Sequence, residues 1–509
     1  MSAVARTWRP LKAVLGGLVD VPESLEVSDL AIDSRHVTPG AAFFACRGGT
    51  RHGLDFAAAA AAAGARAVLW EPAPGVQPPT LGPEVVVRPV PNLRAQLGYI
   101  ADRFFDAPSA TLTVAGITGT NGKTTCAWLL AQALEQIGRR AAYIGTLGGG
   151  RIESLREVAV TTPDAIALHR LFAQVRAEGC EAVAMEVSSH ALDQDRCAGV
   201  RFHTAVFTNL TRDHLDYHGD MAAYGVAKAK LFAWPTLRAR VINVDDAFGR
   251  ELALQAQRGG GSARLFLTSR DPAAIGSGNT DYLWARSVER LPGGIALDIA
   301  SSRGDMHLSS RLIGDFNVDN LLTVLAVLLS WDTPPESACA ALERCPAPPG
   351  RMQSEGGDGR PLVLIDYAHT PDALAKALAA ARVHCRGTLH CVFGAGGDRD
   401  PGKRSEMGRI AARGADHLVI TNDNPRTEDP QRIIDAILDG VRDAGMLSQT
   451  SVNPDRAAAI RAAVANAGPE DVVLVAGKGH EDYQILGTQR RHFSDADEAR
   501  AALRDWRGR

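Results

Sequence analysis

Short apolar runs alternate along the chain with segments whose apolar residues recur at helical spacing, which predicts layered α/β domains with largely parallel sheets. The clearest case is "TLTVA" (111–115), followed by a glycine-rich turn and then by Trp128, Leu129, Ala133, Leu134 and Ile137 on one helical face, ended by Gly138. "AVAMEVSSHALDQDR" runs as a strand into Glu186, and "TAVFTNLTRDHLDYHG" as a strand into Asn209, Asp213 and His214. Such placements put polar groups at the carboxyl ends of strands, where ligands sit in open α/β sheets. Residues 259–305 are rich in Gly and Ser with short alternating runs, and read as a β-leaning insert.

Breaks in this pattern divide the chain into three pieces, 1–108, 109–345 and 346–509. The first break is the proline- and alanine-containing approach to the glycine turn. The second is "RCPAPPGRMQ", where Pro346, Pro348 and Pro349 cannot continue the helix of "PESACAALERC". With 509 residues, 45% hydrophobic and 22% charged, the chain is too long for one core.

A net charge of −3 without a basic block gives no electrostatic case for nucleic acid. The eight cysteines form no C-x-x-C pair or metal-ligand spacing and suit a reducing compartment as small buried apolar residues. The apolar stretch "AVLGGLV" near the N-terminus is too short for a secretory leader, and no small-x-small cleavage site follows it. "FAAAAAAAGARAVLW" falls short of a membrane span and contains Arg66. The expectation is a soluble cytoplasmic protein without membrane insertion.

Gly116 to Thr125 reads G-x-x-G-x-N-G-K-T-T, with Gly119, Thr120, Asn121, Gly122, Lys123, Thr124 and Thr125 in the order of a phosphate-binding loop. Glycines let backbone N–H groups converge on phosphate oxygens. Lys123 would neutralise the β- and γ-phosphates, Thr124 would offer a hydroxyl to Mg²⁺, and the following helix points its positive end at the anion. Glu186 and His214 could hold a second Mg²⁺; read alone, such residues serve as often as a helix cap and a hydrogen-bonded core imidazole.

"GTNGKTT", "TTPD", "EVSSHAL", "TNLTRDHLDYHGDM", "GDFNVDN", "DYAHTPDAL", "FGAGGDRDPGKR", "DNPRTEDP" and "GKGHEDYQ" occur in the order found in Mur ligases, and over most of its length the chain resembles that family. The resemblance implies an N-terminal α/β UDP-binding domain, a central P-loop mononucleotide-binding domain with a mostly parallel sheet, and a C-terminal Rossmann-like domain. It implies a monomeric ATP-dependent amide ligase working through an acyl phosphate, with two Mg²⁺ sites.

By the same resemblance Thr124, Glu186, His214 and Lys228 are the metal-site groups, Lys228 as an N6-carboxylysine made with CO₂, and Lys123 joins them in catalysis. Asn317, Asn320, Arg351 and Asp366 match ATP contacts. Ile32, Ser34, Thr161, Thr162, Ser188, Gln194 and Arg196 match contacts to UDP-N-acetylmuramoyl-L-alanyl-D-glutamate. Arg399, Asp423, Asn424, Pro425, Arg426, Gly477 and Glu481 match contacts to meso-diaminopimelate. A planar guanidinium at Arg426 can grip the distal carboxylate that lysine lacks, and Glu481 can take an ammonium. Two departures stand out: His52-Gly53-Leu54 where relatives carry D-G-H, and Gln353 where they carry Glu. L-Lysine addition, folylpolyglutamate synthesis and a P-loop NTPase without ligase activity are the alternatives.

Overall fold

The computed structural model describes residues 8–49, 51–259, 261–275, 280–291 and 293–508. Residues 1–7 and Thr50 lie outside them, as do residues 260, 276–279 and 292 of the expected β-leaning insert. The chain forms two compact units. One comprises the chain up to Lys123 with Gly138–Arg240 and Leu254–Arg264; the other comprises Thr124–Ile137, Val241–Ala253 and Leu265–Arg509.

In the first unit, β1 (Asp29–Ala31), β2 (Ala41–Ala45), β3 (Ala67–Trp70) and β4 (Val86–Pro89) pair in sequence order as a parallel sheet. Strands β2 and β3 are buried at every position, which their unbroken apolar runs require. Helix α1 (Leu93–Phe104) closes one face through Leu93, Leu97, Ile100 and Phe104. A second sheet follows, to which this unit contributes β5 (Thr113–Thr118), β6 (Ala141–Gly145), β7 (Gly148–Gly150), β8 (Ala182–Glu186) and β9 (Thr204–Phe207) among others. Their order is β9-β5-β8-β6-β7, parallel except for β7.

Helix α2 (Lys123–Gln136) opens directly after the glycine turn, and α3 (Ala165–Ala177) is capped by Asp164, whose carboxylate accepts from the Ile166 and Ala167 N–H groups at 3.0 Å. Side chains of α3 tie the two sheets of this unit together. Arg170 donates to Asp29 at 2.7 Å and to the Leu30 carbonyl at 2.8 Å, while Arg176 reaches the carbonyls of Phe105 and Asp106.

In the second unit, the expected β-leaning insert contains the antiparallel strands β10 (Asp281–Leu291) and β11 (Gly294–Ser301), and β12 (Met306–Ser310), just beyond its bounds, pairs antiparallel with β11. Helix α7 (Phe316–Ser330; α4 to α6 are placed with the site below) is apolar nearly all round, and almost every residue of it is buried. The last sheet contains β13 (Gln353–Gly356), β14 (Leu362–Asp366), β15 (Leu389–Phe393), β16 (His417–Ile420), β17 (Thr450–Val452) and β18 (Val472–Ala476). Its order is β13-β14-β18-β15-β16-β17, parallel except for β13. Because β18 inserts between β14 and β15, loops beyond the carboxyl ends of β14, β15, β16 and β18 flank a common crevice. A hairpin, β19 (Tyr483–Leu486) with β20 (Gln489–His492), follows β18.

The divisions expected after residues 108 and 345 lie within the first and second compact units respectively.

Candidate functional site

The glycine turn leaves β5 and enters α2 in a conformation only glycine allows at two points. Gly119 has φ 146°, and a Cβ there would sit 1.9 Å from the Thr208 hydroxyl; Gly122 has φ 85°. The segment after β9 braces the loop: the Thr120 N–H donates to the Asn209 carbonyl at 2.8 Å, the Asn121 N–H to the Asn209 side chain at 2.9 Å, and the Thr208 hydroxyl to the Asn121 carbonyl at 2.6 Å. The Lys123 ammonium folds back over the loop, donating to the carbonyls of Gly119 and Thr120 at 2.9 and 2.8 Å. Thr124 and Thr125 are buried in the first turn of α2.

Lys228, on α6 (Met221–Ala229), donates to the same Gly119 carbonyl at 2.9 Å and lies 4.3 Å from the Tyr224 ring centre. It is 1% exposed. Burial, reinforced by the Lys123 charge, lowers its amine from the usual 10.5 to about 6. A neutral amine is the form that reacts with CO₂. Sequence alone carried no sign of this burial.

Glu186 ends β8 as expected: Oε1 accepts from the Tyr143 hydroxyl at 2.5 Å and the Thr146 N–H at 2.9 Å, and Oε2 from the Thr146 hydroxyl at 3.4 Å. His214 differs from the expectation. Strand β9 stops at Phe207, and His214 precedes α5 (Leu215–His218) in a left-handed conformation, φ 53°. Its ring meets His190, on α4 (Ser189–Asp193), edge to face with centroids 4.9 Å apart. Among the described residues no three His, Cys, Asp or Glu side chains form a metal-binding group. The Glu186 carboxylate is a hard oxygen donor of the kind that suits Mg²⁺.

A cleft of about 400 Å³ in the first unit gathers Ile32, Gln194 and Arg196 with Cys46, Arg94 and Asp164, the last three absent from the sequence expectation. Ser34 lies on a short 3-10 turn outside its lining. Arg196 donates to the Gln194 side chain at 2.6 and 3.0 Å and to the Thr162 carbonyl at 3.0 Å. The Thr162 hydroxyl donates to the Glu186 carbonyl at 2.9 Å and accepts from the Ser188 N–H at 3.0 Å, and the Thr161 hydroxyl meets that of Thr146 at 3.1 Å. This thread runs from the cleft to the strand end that carries Glu186. At the departure from type, His52 bonds the Glu71 carbonyl at 2.9 Å and accepts from the Leu54 N–H at 3.1 Å, so it braces its own loop.

In the second unit Asn317 and Asn320 open α7, both buried. Asn320 donates to the Asn317 side chain and Asn317 to the Ile313 carbonyl, each at 2.8 Å. Their amides are thus engaged within the helix start. Asp366 ends β14 and accepts from the Met352 N–H at 2.8 Å; burial pushes its carboxyl up to about 6. Arg351 lies 5.2 Å from the Tyr367 ring centre, and its buried Nε lacks a hydrogen-bond partner among the described residues. Gln353 accepts from the Gly350 N–H at 3.0 Å and donates to Glu355 at 2.9 Å.

The loops carrying Arg399 and Arg426 are laced together. Arg404 donates twice to Glu428 at 2.7 Å, holding that carboxyl down at about 2, and the Thr427 hydroxyl donates to Asp398. Arg426 has φ 53° and donates from its side chain to the Gly397 carbonyl at 2.8 Å. The hairpin clasps its backbone: its N–H donates to the Ile485 carbonyl at 3.2 Å, and its carbonyl accepts from the Gly487 N–H at 2.7 Å. Pro425 is buried and Arg399 exposed. Gly477 follows β18 with φ 120°, and a Cβ there would lie 2.5 Å from the Asp423 carboxylate. Asn424 donates to Glu481 at 2.9 Å.

Family models match three successive stretches: Mur ligase family, catalytic domain, over 26–105; Mur ligase middle domain over 117–328; and Mur ligase, glutamate ligase domain, over 350–479. A protein of Ectopseudomonas mendocina (strain ymp) named UDP-N-acetylmuramoyl-L-alanyl-D-glutamate–2,6-diaminopimelate ligase is 47% identical over 482 residues, 94% of this chain and 96% of that one. Its namesake in Chromobacterium violaceum is 48% identical over 490 residues, 95% of each chain. A solved structure of a ligase of that name superposes with TM-score 0.73 at 33% identity, covering 98% of this chain and 99% of the other. The MurF ligase of Thermotoga maritima, solved in complex with ADP, shares the fold at 17% identity and TM-score 0.60.

Proposed function

The chain belongs to the Mur ligase family, and on that premise we propose that it joins meso-2,6-diaminopimelate to UDP-N-acetylmuramoyl-L-alanyl-D-glutamate at the expense of ATP, in the building of peptidoglycan precursor. The amino-acid choice rests chiefly on one observation: the loop that carries Arg426, its backbone clasped by the hairpin and its guanidinium bonded to the Gly397 carbonyl, is joined to the loop that carries the Glu481 carboxylate by the Asn424–Glu481 hydrogen bond. Diaminopimelate offers a carboxylate and an ammonium to such a pair. Lysine would leave the guanidinium with the Gly397 carbonyl alone and no carboxylate to answer its charge.

The reaction follows from the groups present. The D-glutamate γ-carboxylate attacks the γ-phosphorus of ATP, ADP leaves, and an acyl phosphate forms. The amino nitrogen then attacks the acyl carbon, loses its proton, and phosphate departs as the amide forms. The phosphate loop and Lys123 hold the triphosphate and spread the developing negative charge. Mg²⁺ bound by Thr124, Glu186, His214 and carbamylated Lys228 would neutralise phosphate oxygens. The 400 Å³ cleft, with Arg196 and Gln194, is the site we assign to the nucleotide-linked substrate. We retain divisions after residues 108 and 345 as domain boundaries, and read the protein as a cytoplasmic monomer. No described helix is long and apolar enough to cross a membrane, and all eight cysteines are free.

Phosphate release from ATP in the presence of the UDP-muramoyl dipeptide, compared for meso-diaminopimelate and L-lysine at equal concentration, tests the reading. Release with diaminopimelate alone is expected. Equal release with lysine overturns the amino-acid choice, and release independent of any amino acid overturns the ligase.

A further inference from the structure

We propose that Lys478 is a positioning residue for amino-acid recognition, holding Glu481 as an oriented carboxylate with one oxygen kept for the incoming ammonium. This rests on the diaminopimelate reading above. Lys478 is fully buried, in the loop between β18 and the hairpin. A buried ammonium is costly unless its donors are satisfied. Here Nζ lies 3.2 Å from Asn424 Oδ1, 3.2 Å from Glu481 Oε2 and 5.4 Å from the Tyr483 ring centre.

The three side chains determine one another. Asn424 Oδ1 accepts from Lys478 and from the Ile485 N–H at 2.9 Å, which fixes its amide so that Nδ2 donates to Glu481 Oε2 at 2.9 Å. Oε2 therefore receives two donors, while Oε1 carries no hydrogen bond among the described residues. The Glu481 side chain remains 19% exposed, so ligand can reach it. Without Lys478 the amide keeps only the Ile485 N–H to fix it, and Oε2 keeps one donor of two. The carboxylate is then less constrained, and the substrate ammonium must complete its ordering on binding.

The test is a double-mutant cycle on diaminopimelate-dependent phosphate release, with saturating ATP and UDP-muramoyl dipeptide. K478M is expected to raise KM for diaminopimelate about 10- to 100-fold with KM for ATP unchanged. K478Q, which keeps a donor but no charge, should fall between. The discriminating comparison is K478M/E481Q with E481Q: if Lys478 acts through Glu481, the double variant is no worse than E481Q within about threefold. Additive losses, an unchanged KM in K478M, or failure of both K478M and K478Q to fold would each overturn the proposal, the last by making Lys478 a scaffold residue. Lack of diaminopimelate dependence in the unsubstituted protein would instead sink the proposed function.

Discussion

Lys228 and Arg426 show how burial and backbone geometry give single residues their chemistry. Lys228 has a folded-state pKa of about 6 against an ordinary 10.5, so its neutral amine is present above about pH 6. Activity is expected to rise with pH through that value and to respond to bicarbonate in CO₂-depleted buffer. Lys228→Ala should lower kcat at least about 100-fold, with partial recovery on adding acetate, a small carboxylate able to stand in for the carbamate. Rates insensitive to CO₂ together with an active alanine variant would remove the carbamate from the scheme. Arg426→Ala should raise KM for diaminopimelate about 10- to 100-fold with KM for ATP unchanged, read from the same phosphate assay. The phosphate loop was legible in sequence because its glycines and lysine have fixed spacing. Lys228 and Lys478 were not: burial of a lysine depends on what folds over it, and neither letter differs from that of a solvent-facing residue.

Between elements, one buried ion pair joins two helices at the C-terminal end, beside the apolar cluster they share. Arg456 opens α8 (Arg456–Asn466) and Asp495 opens α9 (Asp495–Asp505); both are 0% exposed, with Nε and Nη2 donating to the carboxylate at 2.7 and 2.8 Å. Arg456 also donates to the Ala476 carbonyl at the end of β18, 3.0 Å away, just before Gly477. Asp495→Ala leaves a buried guanidinium without its counter-charge and should cost about 3–5 kcal/mol in denaturant unfolding. Arg456→Met with Asp495→Leu should recover most of that loss, since two apolar side chains of similar volume leave no charge stranded. Equal stability of the single and double variants would show that the pair is incidental. Strand and helix alternation was readable because its periods are local. The place of His214 was not, since the chain leaves β9 seven residues earlier and no periodicity governs the loop between.

For the whole molecule, two buried groups shape stability against pH with opposite signs. Asp366 has a folded pKa of about 6 against 3.8, so the folded state holds the proton more tightly, and stability falls as pH rises from about 4 to 6. Lys228 is lowered from 10.5 to about 6, so the unfolded chain takes the proton more readily, and stability rises across that window. Thermal unfolding should show the first limb abolished by Asp366→Asn and the second by Lys228→Met; an unchanged profile in either variant would remove that group from the account. Three family stretches were legible as three pieces, whereas the grouping into two compact units depends on tertiary contacts such as Arg170 with Asp29, which lie 141 residues apart. The clasp on Arg426 carries a further consequence for anyone wishing to retarget this enzyme to another amino acid. Its left-handed backbone is imposed by the hairpin that follows β18, so exchanging the arginine alone leaves a replacement side chain aimed by the old scaffold. Specificity would transfer only when residues 423–428 and 483–492 are grafted together, and a family of such chains can change diet only by altering both segments in step.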